Sequence, residues 1–443
     1  MGPTADRADV VIVGAGSAGC VLAERLSRDP SRRVMLLERG PSTSVRDAAL
    51  SKLPIGPESA HAREFETVDP TLSVVRGQGL GGSSAVNGGY FMRWHDGDLR
   101  DLVAVGPWSA TQIAEAYSEL DWVDGTMRVR QWRDDELTDI AAAFEDYWSA
   151  RVPTRQPTDR RPIVGLNRVL SNNVDGQRFS AFDGYLRSAA ERENLTLVSG
   201  AEVRTLRIGD GRVTGVEVNF DGRLTTVTAG QVILCAGTLG TAEVLFRSGL
   251  LDGYVTVVEH REVLVRYRRR RAPGTAPALL QTVVHDAGGC EIRCYSDDFA
   301  KFIDRIPAWG PAIGVAAMTP GVLGQLSWER GALVVELGPR DPALWRGGDA
   351  VAAGVDSVSR MLQSSEFDHI VEPNSVAVSG VSSTSQHACA TLPIGQATDW
   401  YGAHRGIDGL RVVDGSILPH AGRSGPHETI MMLACLIGDE LIH

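Results

Sequence analysis

His387 lies in the run Ser385-Gln386-His387-Ala388-Cys389. An imidazole titrates near neutrality, so it can take a proton from a hydroxyl group and later return one. Alone, such a histidine would as readily be a core or loop residue. Its weight comes from two other features. One is the loop Gly14-Ala15-Gly16-Ser17-Ala18-Gly19, and the other is the glycine cluster spanning residues 76–90. Glycines let backbone amides close on phosphates and rings. Together the three features point to hydride transfer from an alcohol carbon, with His387 as the base.

The elements that position these residues are legible in part. Asp9–Val13 is a short apolar run, residues 17–28 carry Val21, Leu22 and Leu26 at helical spacing, and Val34–Leu37 is a second apolar run ending in Glu38. This is a βαβ unit. Gly14, Gly16 and Gly19 form G-x-G-x-x-G between strand and helix, so Ser17, Ala18 and Gly19 fall where a helix N-terminus meets a pyrophosphate. Glu38 follows Gly14 by 24 residues, at the end of the next strand. An acid there hydrogen-bonds ribose hydroxyls. The motif signals a dinucleotide without separating FAD from NAD.

Residues 41–75 have no period, 107–150 look helical and 151–180 look loop-rich. Leu195–Val198, Val203–Ile208, Val213–Val218, Leu224–Val227 and Val232–Cys235 read as strands, the first four separated by turn residues. A helix is predicted from Thr241 to Arg247. Residues 255–380 mix strands with a helix at Asp349–Leu362. A strand at Leu410–Val413 and a helix at Glu428–Ile442 follow. The predicted class is α/β: a Rossmann-like nucleotide-binding domain (residues 1–100, 187–260 and 381–443) interleaved with a substrate domain on an antiparallel sheet (residues 101–186 and 261–380).

Bulk composition excludes several classes. The 49 glycines among 443 residues are about 11%, against a typical ~7%, and they concentrate in the motifs. A net charge of -11 argues against nucleic acid as the partner. The run Arg266–Arg271 is a solvated strand end or a contact for an anion. Six cysteines at sparse spacing suggest neither a disulfide framework nor a metal site. No secretory signal and no stretch of ~18 apolar residues is seen, so a cytoplasmic protein is expected, with attachment to a membrane surface left open.

The cluster Arg76-Gly77-Gln78-Gly79-Leu80-Gly81-Gly82-Ser83-Ser84-Ala85-Val86-Asn87-Gly88-Gly89-Tyr90 resembles the first signature of the glucose–methanol–choline (GMC) oxidoreductase family. The resemblance implies FAD. It places Gly81, Gly82, Ser83, Asn87, Gly88, Gly89 and Tyr90 at the cofactor, with non-covalent attachment, since no histidine or cysteine lies in the cluster. Gly176–Ala181 with Tyr185 and Leu186 is similar to a further family segment. Val203 matches the position whose backbone meets the adenine. Ala236–Gly249 is similar to the second signature, with Gly240 where a Ser or Thr is usual. Gly409–Pro419 matches the C-terminal flavin segment, with Asp414 and Gly415 near the cofactor.

His387 then matches the family's catalytic base, implying proton abstraction from a CH–OH donor as hydride passes to flavin N5. In Gly425-Pro426-His427-Glu428-Thr429 the usual partner position holds Gly425. Pro426 and His427 are expected beside the flavin, with His427 also a candidate to assist the proton transfer. His420 is more readily structural. The runs Leu53–Gly56, Asn87–Phe91, Thr384–His387 and Gly425–Thr429 resemble the GMC proteins associated with mycofactocin. That likeness implies reoxidation of mycofactocinol, with electrons passed to oxygen or to a respiratory or protein acceptor. The segment around Glu259-His260 departs from the family's usual Asp-His, which keeps other readings open: a different, sugar-like alcohol from a natural-product pathway, or an FAD-containing lyase without net redox chemistry.

Overall fold

A computed structural model describes residues 6–442 except 44, 46, 47 and 123. The first apolar run is the strand Arg7–Val13, whose last four residues are buried. It pairs in parallel with Val34–Glu38, Val11 opposite Met35, and with Arg223–Leu234, Val11 opposite Val232. Leu195–Ser199 extends the sheet beyond Val34–Glu38, and Leu410–Val412 extends it beyond Arg223–Leu234, both in parallel. Helix Ser17–Leu26 packs against helix His427–Glu440. The packing is close: a Cβ on Gly438 would lie 3.0 Å from Arg25 Cγ. Central strands covered by helices lose their polar alternation, which is why they read as unbroken apolar runs.

Arg223–Leu234 is one strand of 12 residues, not the two separate strands the sequence suggests. Its first half closes an antiparallel meander with Arg212–Phe220 and Ala201–Gly209; its second half enters the parallel sheet. Ala229-Gly230 has weak strand preference, but pairing of Thr228 with Arg7 and Ala229 with Ala8 carries the strand through. Neighbouring strands override local propensity here.

A second, mixed sheet is built on two long antiparallel strands, Tyr254–Arg266 and Ala312–Glu329. Cys290–Tyr295, Leu280–His285 and Gly165–Arg168 follow on one side, and Ala332–Glu336, Ala62–Thr67 and Val74–Gly77 on the other. Two segments read as irregular or loop-rich therefore contain strands. Ala62–Thr67 is largely solvent-facing, and its acidic, non-alternating sequence carries no strand period. Residues 107–150 hold helices Ala110–Asp121 and Asp139–Ser149, with the strand Val129–Gln131 between them. Ser109 and Gln112 form a capping box at the first, and Thr138 caps the second. The last two helices run Gly348–Leu362 and His427–Glu440, close to their predicted bounds.

Candidate functional site

The glycine loop is packed to its limit. Gly14 has φ +101°, and its added Cβ would meet the Cys235 carbonyl oxygen at 2.6 Å; a Cβ on Gly19 would meet the Gly14 carbonyl oxygen at 1.9 Å. Gly16 ends the loop as the N-cap of helix Ser17–Leu26, and no side chain caps that helix. The first-turn amides, those of Ser17, Ala18 and Gly19, thus keep their donors for an anion.

The second glycine cluster lies against this loop. The Gly81 amide donates to the Ala15 carbonyl at 2.8 Å, and a Cβ on Gly82 would come within 2.8 Å of Gly16 Cα. Glu38 ties the two together. Its Oε2 accepts from the Ala15 amide at 2.8 Å, and its Oε1 accepts from the amides of Gly40 at 2.7 Å and Gly79 at 2.8 Å. The acid expected at a ribose is therefore also a clamp between the motifs. The Ser83 hydroxyl accepts from the Gly77 amide, and Asn87 Oδ1 accepts from the Gly89 amide at 2.9 Å. Arg178 donates to the Asn87 carbonyl at 2.6 Å, which joins the Gly176–Ala181 segment to the cluster. A Cβ on Gly88 would meet nothing within 4 Å, so one wall of the cluster faces open space.

The segment after His387 runs beside the Asp414 segment: the Ala390 amide donates to the Gly415 carbonyl at 3.0 Å, and the Leu392 amide to the Ser416 carbonyl at 2.9 Å. Asp414 is buried and accepts from Thr241 Oγ1 at 2.5 Å and the Ser416 amide at 2.8 Å. Burial pushes its carboxyl up. A Cβ on Gly415 would strike Thr238 Oγ1 at 2.6 Å. Val203 is buried in the meander, opposite Val218. Pro426 is the N-cap of the last helix and His427 its first residue. His427 Nδ1 lies 3.4 Å from Asn87 Nδ2, and its Nε2 is buried without a partner. Its ring stands edge-on to Phe91. Burial lowers it to about 4. His420 stacks on Trp94, with one ring nitrogen 3.0 Å from the Ala421 carbonyl oxygen and the other 3.1 Å from that of Asp98.

His387 is placed by a short antiparallel pairing. Thr384 opposes Arg261, the Ser385 amide donates to the His260 carbonyl, and Val258 bridges Cys389. His387 therefore stands across from His260, with their Nδ1 atoms 2.9 Å apart and their rings at 86°. Glu259 Oε1 accepts both main-chain amides, from His387 at 2.7 Å and from His260 at 2.8 Å. Among the described residues His387 Nε2 has no hydrogen-bond partner, and it is not sealed off. Burial, then His260 and Arg293, hold the ring well below its usual 6.5, instead of near neutrality as its sequence context suggests. It stays neutral and able to accept a proton.

A buried polar array adjoins it. Tyr90 donates to Glu291 Oε2 at 2.7 Å, Arg293 donates to Glu291 Oε1 at 2.6 Å and to Ser385 Oγ at 2.5 Å, and Tyr295 donates to Glu262 at 2.8 Å. His285 reaches the same Glu291 oxygen at 2.7 Å and His95 at 2.7 Å. Of these, sequence reading singled out only Tyr90. The available signal was Glu291, Arg293 and Tyr295 alternating along one strand, a polar face inside an otherwise apolar element.

Two segments of the chain, residues 8–254 and 346–434, match the family models described as GMC oxidoreductase. An uncharacterized GMC-type oxidoreductase of Rhodococcus erythropolis is 30% identical over 98% of this chain and 99% of its own. The pyridoxine 4-oxidase of Microbacterium luteolum is 32% identical over 55% of this chain and 52% of its own. The solved pyridoxine 4-oxidase from Mesorbium loti superposes with a TM-score of 0.85 at 22% identity, covering 98% of this chain and 99% of that one. The chain belongs to the GMC oxidoreductase family. It is an FAD-dependent enzyme acting on CH–OH donors. The uncapped helix, the Cβ-intolerant loop and the open wall at Gly88 fit that cofactor. Among the described residues no helix is long and apolar enough to cross a membrane.

Proposed function

We propose that this enzyme oxidises a small alcohol with His387 as the base. The observation that carries the reading is the placement of His387: its backbone fixed by Glu259, its Nδ1 engaged with His260, and its Nε2 unengaged. Helix Ser17–Leu26 and the two glycine clusters would hold FAD without a covalent bond, Glu38 and Val203 meeting the ribose and adenine. Bound there, FAD supplies the hydride acceptor at N5. His387 Nε2 takes the hydroxyl proton as the hydride leaves carbon, a contribution of about 10²–10⁴ in rate. Asn87 ties His427 to the glycine cluster, which supports a role at the cofactor over a role in proton transfer. Gly81, Gly82, Ser83, Gly88, Gly89, Tyr90, Asp414, Gly415 and Pro426 complete the cofactor wall in this reading.

The four runs similar to mycofactocin-associated proteins support mycofactocinol as the alcohol, with oxygen or a respiratory or protein acceptor taking the electrons, in the cytoplasm. A simple or sugar-like alcohol is the second reading, favoured by the departure at Glu259-His260. Anaerobic mixing with mycofactocinol, ethanol, glycerol and benzyl alcohol, followed by flavin absorbance, tests both. Bleaching by an alcohol, and its loss in His387→Ala with FAD retained, is the expected result. A flavin that stays yellow with every alcohol points instead to a lyase. Wild-type bleaching in His387→Ala removes the base assignment.

A further inference from the structure

The geometry points to His260 as the positioning residue that sets the proton of His387, accepting the His387 Nδ1–H so that Nε2 is left bare. This rests on the reading of His387 as base. Two Nδ1 atoms 2.9 Å apart share one proton, and only two arrangements exist. In the first, His387 donates and its Nε2 is a bare lone pair. In the second, His260 donates, His387 carries its proton on Nε2, and no base faces the substrate.

The surroundings of His260 select the first. Its Nε2 is buried without a hydrogen-bond partner, the main-chain groups of Met318 and Gly422 act on the ring, and with Nδ1 turned to His387 it is Nε2 that is left to face them. A bare nitrogen against carbonyl oxygens is repulsive, whereas an N–H there is attracted, so the His260 proton belongs on Nε2. Its Nδ1 is then an acceptor, and His387 must supply the shared proton. Burial holds His260 to about 3, so it stays neutral and keeps that acceptor.

Glu259 makes the arrangement rigid. One carboxylate oxygen accepts the amides of both histidines, so neither backbone shifts without the other. Arg76 stands 3.7 Å from its second oxygen and offsets part of the cost of its burial. When His387 gains the substrate proton, the bond to His260 becomes charge-assisted and strengthens. The arrangement does for the base what a carboxylate does for the histidine of a catalytic triad, with a neutral ring in the carboxylate's place.

The test uses FAD-loaded enzyme labelled with ¹⁵N in its histidines and needs no substrate for its first arm. NMR of the wild type is expected to show His387 protonated at Nδ1 and bare at Nε2; a proton on Nε2 overturns the proposal whatever any variant does. In the second arm, His260→Phe removes the acceptor and His260→Asn keeps an amide oxygen near the Nδ1 position. Flavin reduction by the alcohols named above should slow by roughly 10²- to 10⁴-fold in His260→Phe, with KM little changed, and recover most of that loss in His260→Asn. Wild-type reduction in His260→Phe overturns the proposal. If His387→Ala also reduces flavin normally, the base reading has failed first; if His387→Ala is slow and His260→Phe is not, only the role of His260 falls.

Discussion

Gly425 stands so close to His387 that a Cβ there would lie 3.3 Å from the imidazole Cε1, and the same Cβ would lie 3.3 Å from Tyr90 Cε1. The position to which the family resemblance assigns a second polar side chain is here the floor between two rings. Adding even a methyl group must push one ring aside by a few tenths of an ångström. Gly425→Ala should therefore slow flavin reduction about tenfold while leaving FAD content unchanged, because small misplacements of a reacting group are costly. Rapid-mixing measurement of the reduction rate checks this, and an unchanged rate would show that the rings have room to spare.

Glu38 offers a sharper test of the cofactor frame. Its two oxygens accept three main-chain amides from three segments. Glu38→Gln replaces one of these oxygens with an NH2 group that faces an amide donor. The cost of a buried, unsatisfied donor is about 1–3 kcal/mol. Urea denaturation should show a loss of that size, accompanied by weaker retention of FAD. Unchanged stability and FAD content would mean that the amides find other acceptors.

Acid should loosen the protein above the usual carboxylate range. Burial holds His95 and His260 to about 3 and His427 to about 4, and holds His387 low as well. Once unfolded, these rings bind protons near 6.5. Between about pH 6.5 and 4 the unfolded chain therefore binds more protons than the folded one, and stability falls as pH falls. Glu259 and Glu428, pushed up by burial, oppose this, because the folded state keeps their protons. The expected outcome is a urea midpoint that drops between about pH 7 and about pH 5. A midpoint that stays flat or rises over that range contradicts the assignment of buried neutral rings.

Much of the cofactor half was legible because its signals are local. Gly14, Gly19 and Glu38 act within one βαβ unit, and their spacing alone states the geometry. His387 was singled out only through family resemblance, since nothing in its own run distinguishes a base from a core histidine. His260 was legible only as part of a segment that departs from the family pattern, because its role lies in a partner 127 residues away, reached through a strand pairing of two residues. The Glu291–Arg293–Glu262 array was hidden for the same reason: each charge is tolerable only because distant charges meet it. The strands Ala62–Thr67 and Val74–Gly77 carry no amphipathic period, and their pairing, not their sequence, makes them strands.

The seven-stranded sheet draws its strands from residues 7–38, 195–234 and 410–412. During synthesis this has a kinetic meaning. The ribosome delivers the dinucleotide loop early, but the flank at Leu410–Val412 and the covering helix His427–Glu440 emerge some four hundred residues later. Until then Arg223–Leu234 has an open edge, and helix Ser17–Leu26 shows an apolar face to water. Such non-local closure is slow and leaves a nascent chain prone to association. Low temperature, slow induction and ample flavin during expression are the conditions this topology calls for.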